Sequence, residues 1–492
     1  MPENPIHEGL VAQGWNYSLE DAKDYVSKYE KLNVGQMYTT ASGATEIDIE
    51  LTKGRTTPLL GICPNGTVTV DWGDNSTDTI SGTSLTTLVN TQHAYASAGK
   101  YTIKLTGTFG IIGESPYGSR LLWDQKTFFT RANNAYQNAV KAIRIGNGVT
   151  SIGDYAFQYC YSLNSVTISN NIISIGNYAF NSCYLLNSVT IPGSVTSIKD
   201  YAFCNCPSLS SVTISGSVTS FGGSIFLGCR SLSSIMIPSR VTFIGINVFQ
   251  SCSFLSSVII PKGITSIRDN AFKDCSSLSS ITIPESVTSI EKGAFYNCYS
   301  LSSVTIPGSV TSIKDGAFQN CYSLSLVTIL EGVTSIGNSA FRDCYSLSSV
   351  TVPDSVTFMG SNVFQDSHAL SSVTISEGVT SIGSNVFNGC YSLNSVTIPE
   401  GVTSIGGSAF EYCSSLSSVT IPEGVTSIGN NAFIRCPSVA EYHLKPMTPP
   451  TIQTSTFSGI PSDCVIYVPT GSLSAYQSAQ YWSNYASQMV EE

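Results

Sequence analysis

The chain is dominated by a pattern of hydrophobic and polar positions that repeats every 23 residues. The unit reads C-x-x-L-x-x-V-T-I-P-x-x-V-T-S-I-G-x-x-A-F-x-x, with apolar residues at fixed positions. Phe fills all thirteen of its slots, and Cys fills twelve of thirteen, with Ser367 in the remaining one. A strict period of about 20–50 residues predicts a solenoid in which each coil packs on its neighbours.

Each unit predicts two short extended segments and one turn. The alternation at the end of L-x-x-V-T-I places Val166 and Ile168 on one side of a strand and Ser165 and Thr167 on the other. Pro follows in many units and ends the strand, because it cannot donate to a continuing ladder. The V-T-S-I segment predicts a second extended piece, and x-x-A-F-x-x-C predicts one helical or 3₁₀ turn.

The unit resembles the BspA-like class of bacterial leucine-rich repeats, most clearly in CYSLSSVTIPGSVTSIKDGAFQNC (298–321) and CSSLSSVTIPEGVTSIGNNAFIRC (413–436). Thirteen units of this kind span residues 140–444. The resemblance implies an α+β repeat solenoid, namely a curved, right-handed leucine-rich-repeat array with a parallel β-sheet on its concave face. It also implies adhesion to host matrix proteins or to other bacteria.

Residues 44–112 carry a different pattern, with alternating strands in TEIDIEL, TVTVDWG and KYTIKLTG, and predict a small all-β sandwich in front of the array. This segment resembles a PKD-type domain, although Asn75 stands where Gly is usual. The resemblance implies a spacer or an interaction module on an extracellular protein. The matching positions are Trp72, Gly73, Asp74, His93, Tyr95, Gly99, Tyr101 and Thr102.

The turn of this segment raises the question of a cation site. Asp71, Asp74 and Asn75 supply oxygen ligands within five residues. A tight polar turn with an Asx hydrogen bond explains the same residues, and the sequence favours it. We therefore expect no metal here.

Two segments lie on the N-terminal side of these modules. Residues 1–43 predict an N-terminal segment with a short helix over 19–32. Residues 113–139 predict a linker that caps the first coil, with Phe128 and Phe129 covering its apolar end.

Residues 445–492 predict a C-terminal cap, which solenoids need for solubility. The Phe signal of the repeat recurs weakly at Phe457. The last stretch, SLSAYQSAQYWSNYASQMVEE, predicts a Ser-capped helix whose Tyr476, Trp482 and Tyr485 shield the last coil.

The fifteen cysteines favour buried free thiols over a disulfide ladder or a zinc site. Ser367 replaces one of them, which an obligatory bridge or metal ligand would tolerate poorly. Their odd number leaves one thiol unpaired in any disulfide scheme, and no C-x-x-C pair is present.

Composition narrows the function classes. The formal net charge is −10 and only 11% of the residues are charged, against about 25% in a typical soluble domain. This balance argues against nucleic-acid binding and against docking on anionic lipid. No apolar run is long enough for membrane insertion. The first residues also lack the basic and apolar regions of a secretory signal, so we expect none in this chain.

No catalytic, cofactor-binding or metal-binding residue is predicted. The four histidines lie in four separate regions, and no nucleophile-elbow, zinc-protease or phosphate-loop motif occurs. The sequence thus indicates a non-catalytic bacterial cell-surface or secreted binding protein, monomeric, that mediates adhesion through its repeats. Its expected partner is an extracellular protein or glycan, including host matrix.

Two alternatives remain. One is a phage-tail or secretion-associated receptor-binding protein. The other is a carbohydrate-binding module that stacks sugars on tyrosines following the Cys slots, although a half-buried rim is the favoured interpretation of this column. The tyrosines are Tyr161, Tyr184, Tyr299, Tyr322, Tyr345 and Tyr391.

One place on the predicted sheet breaks the repeat. Met236 and Ile259 replace Thr in two consecutive coils, and neighbouring coils should lie about 5 Å apart. The same coils carry Arg230, Arg240, Lys262 and Arg268 in a chain that is otherwise acidic. Apolar residues beside basic groups on a solvent face predict a ligand contact site, whereas drift in two degenerate units would give the same pattern.

Overall fold

The computed structural model describes residues 10–15, 36–40, 43–84, 87–111 and 138–492. These residues form two compact units, Met1–Gly263 (unit 1) and Ile264–Glu492 (unit 2). The predicted N-terminal helix over 19–32 lies outside the described residues, as do Phe128 and Phe129. Within the described ranges, no helix combines the length and apolar composition needed to span a bilayer.

Unit 1 contains a set of antiparallel strands followed by the first solenoid coils. Its strands are β1 (Leu10–Trp15), β2 (Gln36–Thr40), β3 (Thr45–Leu51), β4 (Leu59–Asp71), β5 (Thr77–Thr83), β6 (Val89–Gln92), β7 (Gly99–Thr106), β8 (Phe109–Ile111), β9 (Val140–Arg144), β10 (Val149–Ile152), β11 (Ser165–Thr167), β12 (Ser174–Ile175), β13 (Ser188–Ile191), β14 (Ser197–Ile198), β15 (Ser211–Ile214), β16 (Ser220–Phe221), β17 (Ser234–Met236), β18 (Phe243–Ile244) and β19 (Ser257–Ile259).

Unit 2 continues the same coil type and ends in a cap. Its elements are β20 (Ser266–Ile267), β21 (Ser289–Ile290), β22 (Ser303–Ile306), β23 (Ser312–Ile313), β24 (Leu326–Ile329), β25 (Ser335–Ile336), β26 (Ser349–Thr351), β27 (Phe358–Met359), β28 (Ser372–Thr374), β29 (Ser381–Ile382), β30 (Ser395–Thr397), β31 (Ser404–Ile405), β32 (Ser418–Ile421), β33 (Ser427–Ile428), β34 (Glu441–Leu444), β35 (Val465–Val468), α1 (Leu473–Ser478), a 3₁₀ helix (Trp482–Gln488) and β36 (Met489–Glu491).

Both units show the predicted parallel-sheet solenoid. The L-x-x-V-T-I segments form one set of short strands, here called column 1, and the V-T-S-I segments form a second set, column 2. In column 1, β22 pairs in parallel with β24 and β24 with β26; in column 2, β21 pairs with β23. Val304 and Ile306 are buried while Ser303 and Thr305 are exposed, as the alternation predicted.

The helical part of the predicted α+β solenoid is wrong, because the x-x-A-F-x-x-C segments form turns. Two residues in each such segment adopt left-handed backbone, for example Gly293 (φ 61°) and Asn297 (φ 62°), and these interrupt a helix. The amides of Phe295 and Asn297 instead donate to the carbonyls of Ala317 and Gln319 in the next coil, at 2.8 and 3.0 Å. Within the described residues the only helices are those of the C-terminal cap.

The interior of the coils is filled by the Phe and Cys slots. In unit 2, Phe295 and Phe318 stack with ring centroids 5.0 Å apart, and both are fully buried. All fifteen cysteines fall within the described ranges, buried and as free thiols, which confirms that prediction.

The antiparallel strands of unit 1 cap the first coil. Strand β3 pairs with β7 on one side and with β9, the first strand of column 1, on the other. Strand β8 joins β4 to β10, the first strand of column 2. Arg144 fixes this junction, since its Nη1 and Nη2 donate to both Asp48 oxygens at 2.8 Å and its Nε donates to Glu46 at 2.9 Å. The sandwich arrangement expected for residues 44–112 stays a prediction.

The C-terminal cap is held by aromatic side chains. Phe457 stacks on Phe433 at 5.3 Å and contacts Trp482 at 5.2 Å. The Trp482 indole donates to the Pro450 carbonyl at 2.8 Å. The expected Ser-capped helix is only six residues long, and the Ser472 side chain makes no capping hydrogen bond.

Candidate functional site

The exposed face of column 1 is a neutral, hydroxyl-rich surface. Its serines and threonines alternate with buried Val and Ile, and many serine hydroxyls donate to a backbone carbonyl of the preceding coil. Ser302 bonds Ser279 at 3.1 Å, and Ser325 bonds Ser302 at 3.2 Å. Because Ser and Thr side chains carry no charge, an apolar side chain in column 1 changes the chemistry of this face.

The structure brings Met236 and Ile259 together. Strands β17 and β19 pair in parallel with Met236 opposite Ile259, and Ser234 opposite Ser257. Both apolar side chains are half-buried, which confirms the predicted adjacency on the outward side of column 1. The pair therefore forms a small apolar area in an otherwise hydroxyl-lined surface.

Arg230, Arg240 and Lys262 flank these two strands in the sequence. Arg230 precedes β17, whereas Arg240 and Lys262 follow β17 and β19, and all three are exposed. No carboxylate of the described chain forms an ion pair with any of them. Their charges are thus available to a ligand that carries carboxylates.

The same two coils hold exposed apolar residues that the sequence reasoning missed. Phe254, which precedes β19, is 65% exposed, and Ile246 is 47% exposed. The available signal was again a broken column, because Phe254 stands where Ser208 and Ser231 occupy the two preceding coils. We define the contact patch as Met236, Ile259 and Phe254 with their basic neighbours.

The tyrosine column forms ring stacks. In unit 2, Tyr299, Tyr322, Tyr345, His368 and Tyr391 stack consecutively with centroids 4.7–4.8 Å apart. A sugar between two rings needs two van der Waals separations of about 3.5–4 Å each. The inner ring faces are therefore closed to sugars, and this column offers mainly ring edges and hydroxyls.

In the N-terminal strands, the polar turn after β4 is satisfied internally. Asp71 accepts the Gly73 amide at 2.9 Å, and Asp74 accepts the amide and the hydroxyl of Ser76. Asn75 has a left-handed backbone (φ 68°). This is the predicted Asx turn, and among the described residues no cluster of three or more metal-ligating side chains occurs.

A histidine beside this turn invites comparison with a catalytic relay. His93 Nε2 lies 2.7 Å from Asp74 Oδ2 and 3.3 Å from Ser76 Oγ, while its ring stacks on Trp72 at 4.9 Å. Both polar partners thus share one ring nitrogen, whereas a Ser-His-Asp relay uses one nitrogen for each. The geometry fits a structural role, in which the His93 ring packs on Trp72 and is held by Asp74.

The repeats match a known family. The BspA type leucine rich repeat region matches residues 131–256, 242–371 and 361–469, which together exceed half of the chain. The chain therefore belongs to the BspA-type leucine-rich repeat family. Solenoids of this family are generally non-catalytic.

Solved structures of bacterial leucine-rich repeat proteins are similar to this chain, and the first of them shares the fold. A leucine-rich repeat protein of Bacteroides ovatus is 24% identical over 70% of this chain and 88% of its own, with a TM-score of 0.55. A leucine rich cell surface protein of Faecalibacterium prausnitzii is 30% identical over 60% and 83%, with a TM-score of 0.41. One from Eubacterium ventriosum is 26% identical over 67% and 92%, with a TM-score of 0.44. No curated protein matches the chain.

Proposed function

We propose that this chain is a non-catalytic binding protein of the bacterial cell surface or extracellular space, which recognises a protein through the exposed face of column 1. Family membership supports protein recognition by the repeats, because a stacked solenoid presents an extended, regular surface. Adhesion to host matrix or to other bacteria is the specific role that we propose. The PKD-like N-terminal strands act in this proposal as a spacer and cap.

The observation that carries the proposal is the register of Met236 against Ile259. The pair breaks a hydroxyl column without disturbing the core, since Ile235 and Val258 beside it remain buried. Apolar groups at the centre of a patch with charged groups at its rim are the usual anatomy of a protein contact. A partner with an acidic rim fits the patch best.

The closed ring faces of the tyrosine stacks count against sugar stacking along this column. A sugar could reach only the outer face of a terminal ring, whereas an aromatic platform binds a glycan chain through several open faces. Protein recognition is therefore the function that the geometry supports best.

The test measures binding of the full chain to immobilised matrix proteins (collagen, laminin and fibronectin) and to intact host and bacterial cells. The double variant M236T/I259T restores the Thr column and should weaken binding about tenfold or more. R230Q/R240Q/K262Q should weaken binding similarly and reduce its salt dependence. The matched control K292Q/K314Q removes two exposed lysines of unit 2 and should bind as the parent does. Unchanged binding in both patch variants, with the fold intact, would overturn the proposal.

A further inference from the structure

A second break in column 1 lies in unit 2, at Leu326. This residue opens β24, where Ser303 and Ser349 stand opposite it on the two neighbouring strands. Its side chain is 55% exposed. Leu330, directly after the same strand, is 40% exposed and stands where Pro307 and Pro353 occupy the neighbouring coils. One coil of unit 2 thus carries an aliphatic stripe across a hydroxyl-lined face.

In the sequence, the stripe follows a residue of the aromatic stack. Tyr322 lies four residues before Leu326, and its ring stacks between Tyr299 at 4.8 Å and Tyr345 at 4.7 Å. These three tyrosines are 36–39% exposed, and stacking covers the faces of their rings. What remains open is a row of ring edges and hydroxyls, which is rigid at low entropic cost and is typical of protein contact surfaces.

The stripe ends at a column of carboxylates. The position after the strand-ending residue is acidic in six coils of unit 2, and every one of these side chains is exposed. Among the described residues none of them forms an ion pair with Lys, Arg or His. Neighbouring coils repeat at about 4.8 Å, so their charges add along the column. The six are Glu285, Glu331, Asp354, Glu377, Glu400 and Glu423.

We propose that this face of unit 2, from the tyrosine stack through Leu326 and Leu330 to the carboxylate column, binds a cationic polypeptide segment. Aliphatic side chains of the segment pack on Leu326 and Leu330 against the tyrosine edges. Its Lys or Arg groups pair with these carboxylates, none of which forms an ion pair among the described residues; Glu331 accepts only the backbone amides of Asp354 and Ser355, at 3.2 and 3.1 Å. This inference rests on the proposed function of column 1 in protein recognition, and it assigns to unit 2 the opposite charge preference from the contact patch of unit 1.

The experiment uses the full chain and three synthetic twelve-residue peptides, with binding measured by fluorescence anisotropy at two salt concentrations. In the first peptide lysine alternates with leucine; the second has glutamate for lysine; the third has serine for leucine. The parent chain should bind the first peptide at least tenfold more tightly than the other two. L326S, which restores the Ser column, should weaken this binding about tenfold, and E331Q/D354N/E377Q should weaken it and flatten its salt dependence.

The matched control is F358S. Phe358 is 56% exposed and stands in column 2 of the same unit, where Ser335 occupies the paired strand, so this variant also restores a serine column. F358S and M236T/I259T should bind the lysine–leucine peptide as the parent does. Circular dichroism melts check that each variant is folded.

Two results would overturn the inference. One is equal binding of the lysine–leucine peptide by the parent, L326S and the carboxylate variant. The other is binding of the glutamate–leucine peptide by the parent chain as tightly as the lysine–leucine peptide. If L326S has no effect on peptide binding while M236T/I259T still lowers cell or matrix binding, this inference fails and the proposed function stands. If L326S lowers peptide binding while M236T/I259T leaves cell and matrix binding unchanged, the contact patch of unit 1 is refuted and this inference stands.

Discussion

The hydroxyl of Ser367 donates a hydrogen bond to the backbone carbonyl of Phe341, which lies 26 residues earlier, at 3.3 Å. The thiols in the adjacent slots make the same bond, Cys344 to Phe318 at 3.4 Å and Cys390 to Phe364 at 3.2 Å. The slot therefore requires a small side chain with a donor. This requirement explains both the column of free cysteines and the single serine that replaces one of them.

Substitution at a central slot should follow donor chemistry. Cys321 donates to Phe295 at 3.3 Å in unit 2. We expect C321A to destabilise the array by about 1 kcal/mol more than C321S, because alanine removes a buried hydrogen bond worth about 0.5–1.5 kcal/mol. Denaturant melts of the two variants measure the difference. S367C serves as the control and should be close to neutral; a C321S variant weaker than C321A would contradict the donor requirement.

Loss of a stacked phenylalanine should be costly at both the centre and the end of unit 2. F295A should lose about 3–5 kcal/mol, the usual cost of removing a buried Phe. The degenerate repeat around Phe457 by itself predicts a smaller loss of unfolding free energy there. The Phe457 ring, however, is 1% exposed and contacts Phe433, Tyr442 and Trp482. F457A should therefore lose a comparable amount in denaturant melts. A loss below about 1 kcal/mol would show that the cap adds little to the array.

Alkaline pH should destabilise the fold steeply. Burial raises the pKa of Cys160 and Cys436 to about 12, and it raises the pKa of Cys298 and Cys321 as well. An unfolded thiol ionises near pH 8.5 while the folded one stays protonated, so stability is complete below about pH 8.5 and falls as pH rises further.

Each such thiol contributes a slope of about 1.4 kcal/mol per pH unit until the folded pKa is reached. Urea midpoints at pH 8, 9 and 10 measure the slope. The triple variant C298S/C321S/C344S should show a shallower decline. Identical slopes for the parent and the variant would mean that the thiols are accessible in the folded chain.

The junction between the N-terminal strands and the first coil should depend on Arg144. Burial alone would raise the pKa of the Asp48 carboxyl, but hydrogen bonds from Arg144 and Thr102 outweigh it and hold that pKa below its ordinary value. The stability that the Arg144–Asp48 pair contributes is present above about pH 4 and is lost as pH falls through the pKa of Asp48 in the folded chain.

We expect R144Q to lower the free energy of unfolding by about 1–2 kcal/mol; the value is modest because the Arg144–Asp48 pair is partly exposed. Hydrogen exchange should localise the loss to β3 and β9. R144K keeps the charge but loses the two-point contact with Asp48, so it should fall between the parent and R144Q. Unchanged exchange at β3 in R144Q would contradict this role.

The sequence was sufficient for features that recur in every coil. Buried Val304 and Ile306, exposed Thr305 and the free thiols all follow from the 23-residue columns, because each coil meets the same neighbours. The adjacency of Met236 and Ile259 followed in the same way, since equal positions in consecutive units fall opposite each other in parallel strands.

Features that depend on a single contact were not predictable. The pairing of β3 with β9 joins segments almost a hundred residues apart. The left-handed residues Gly293 and Asn297 occur in a stretch whose sequence is equally compatible with a helical turn. The aromatic column gave the positions of Tyr322 and Tyr345, but only the stacking distance shows that their ring faces are closed. Leu326 and Phe254 left a signal in the sequence, because each replaces the Ser that occupies the same position in neighbouring units.

The most direct test of recognition through column 1 attaches a bulky group to one place on that face. Because the native thiols are buried, a single added cysteine should react alone with a maleimide-linked polyethylene glycol. S233C places this group beside β17 in column 1, and T219C places it beside β16 in column 2; both native residues are exposed. After modification, the S233C chain should lose binding to matrix proteins or cells about tenfold or more, while the T219C chain should bind as before. Full binding by the modified S233C chain would contradict the account.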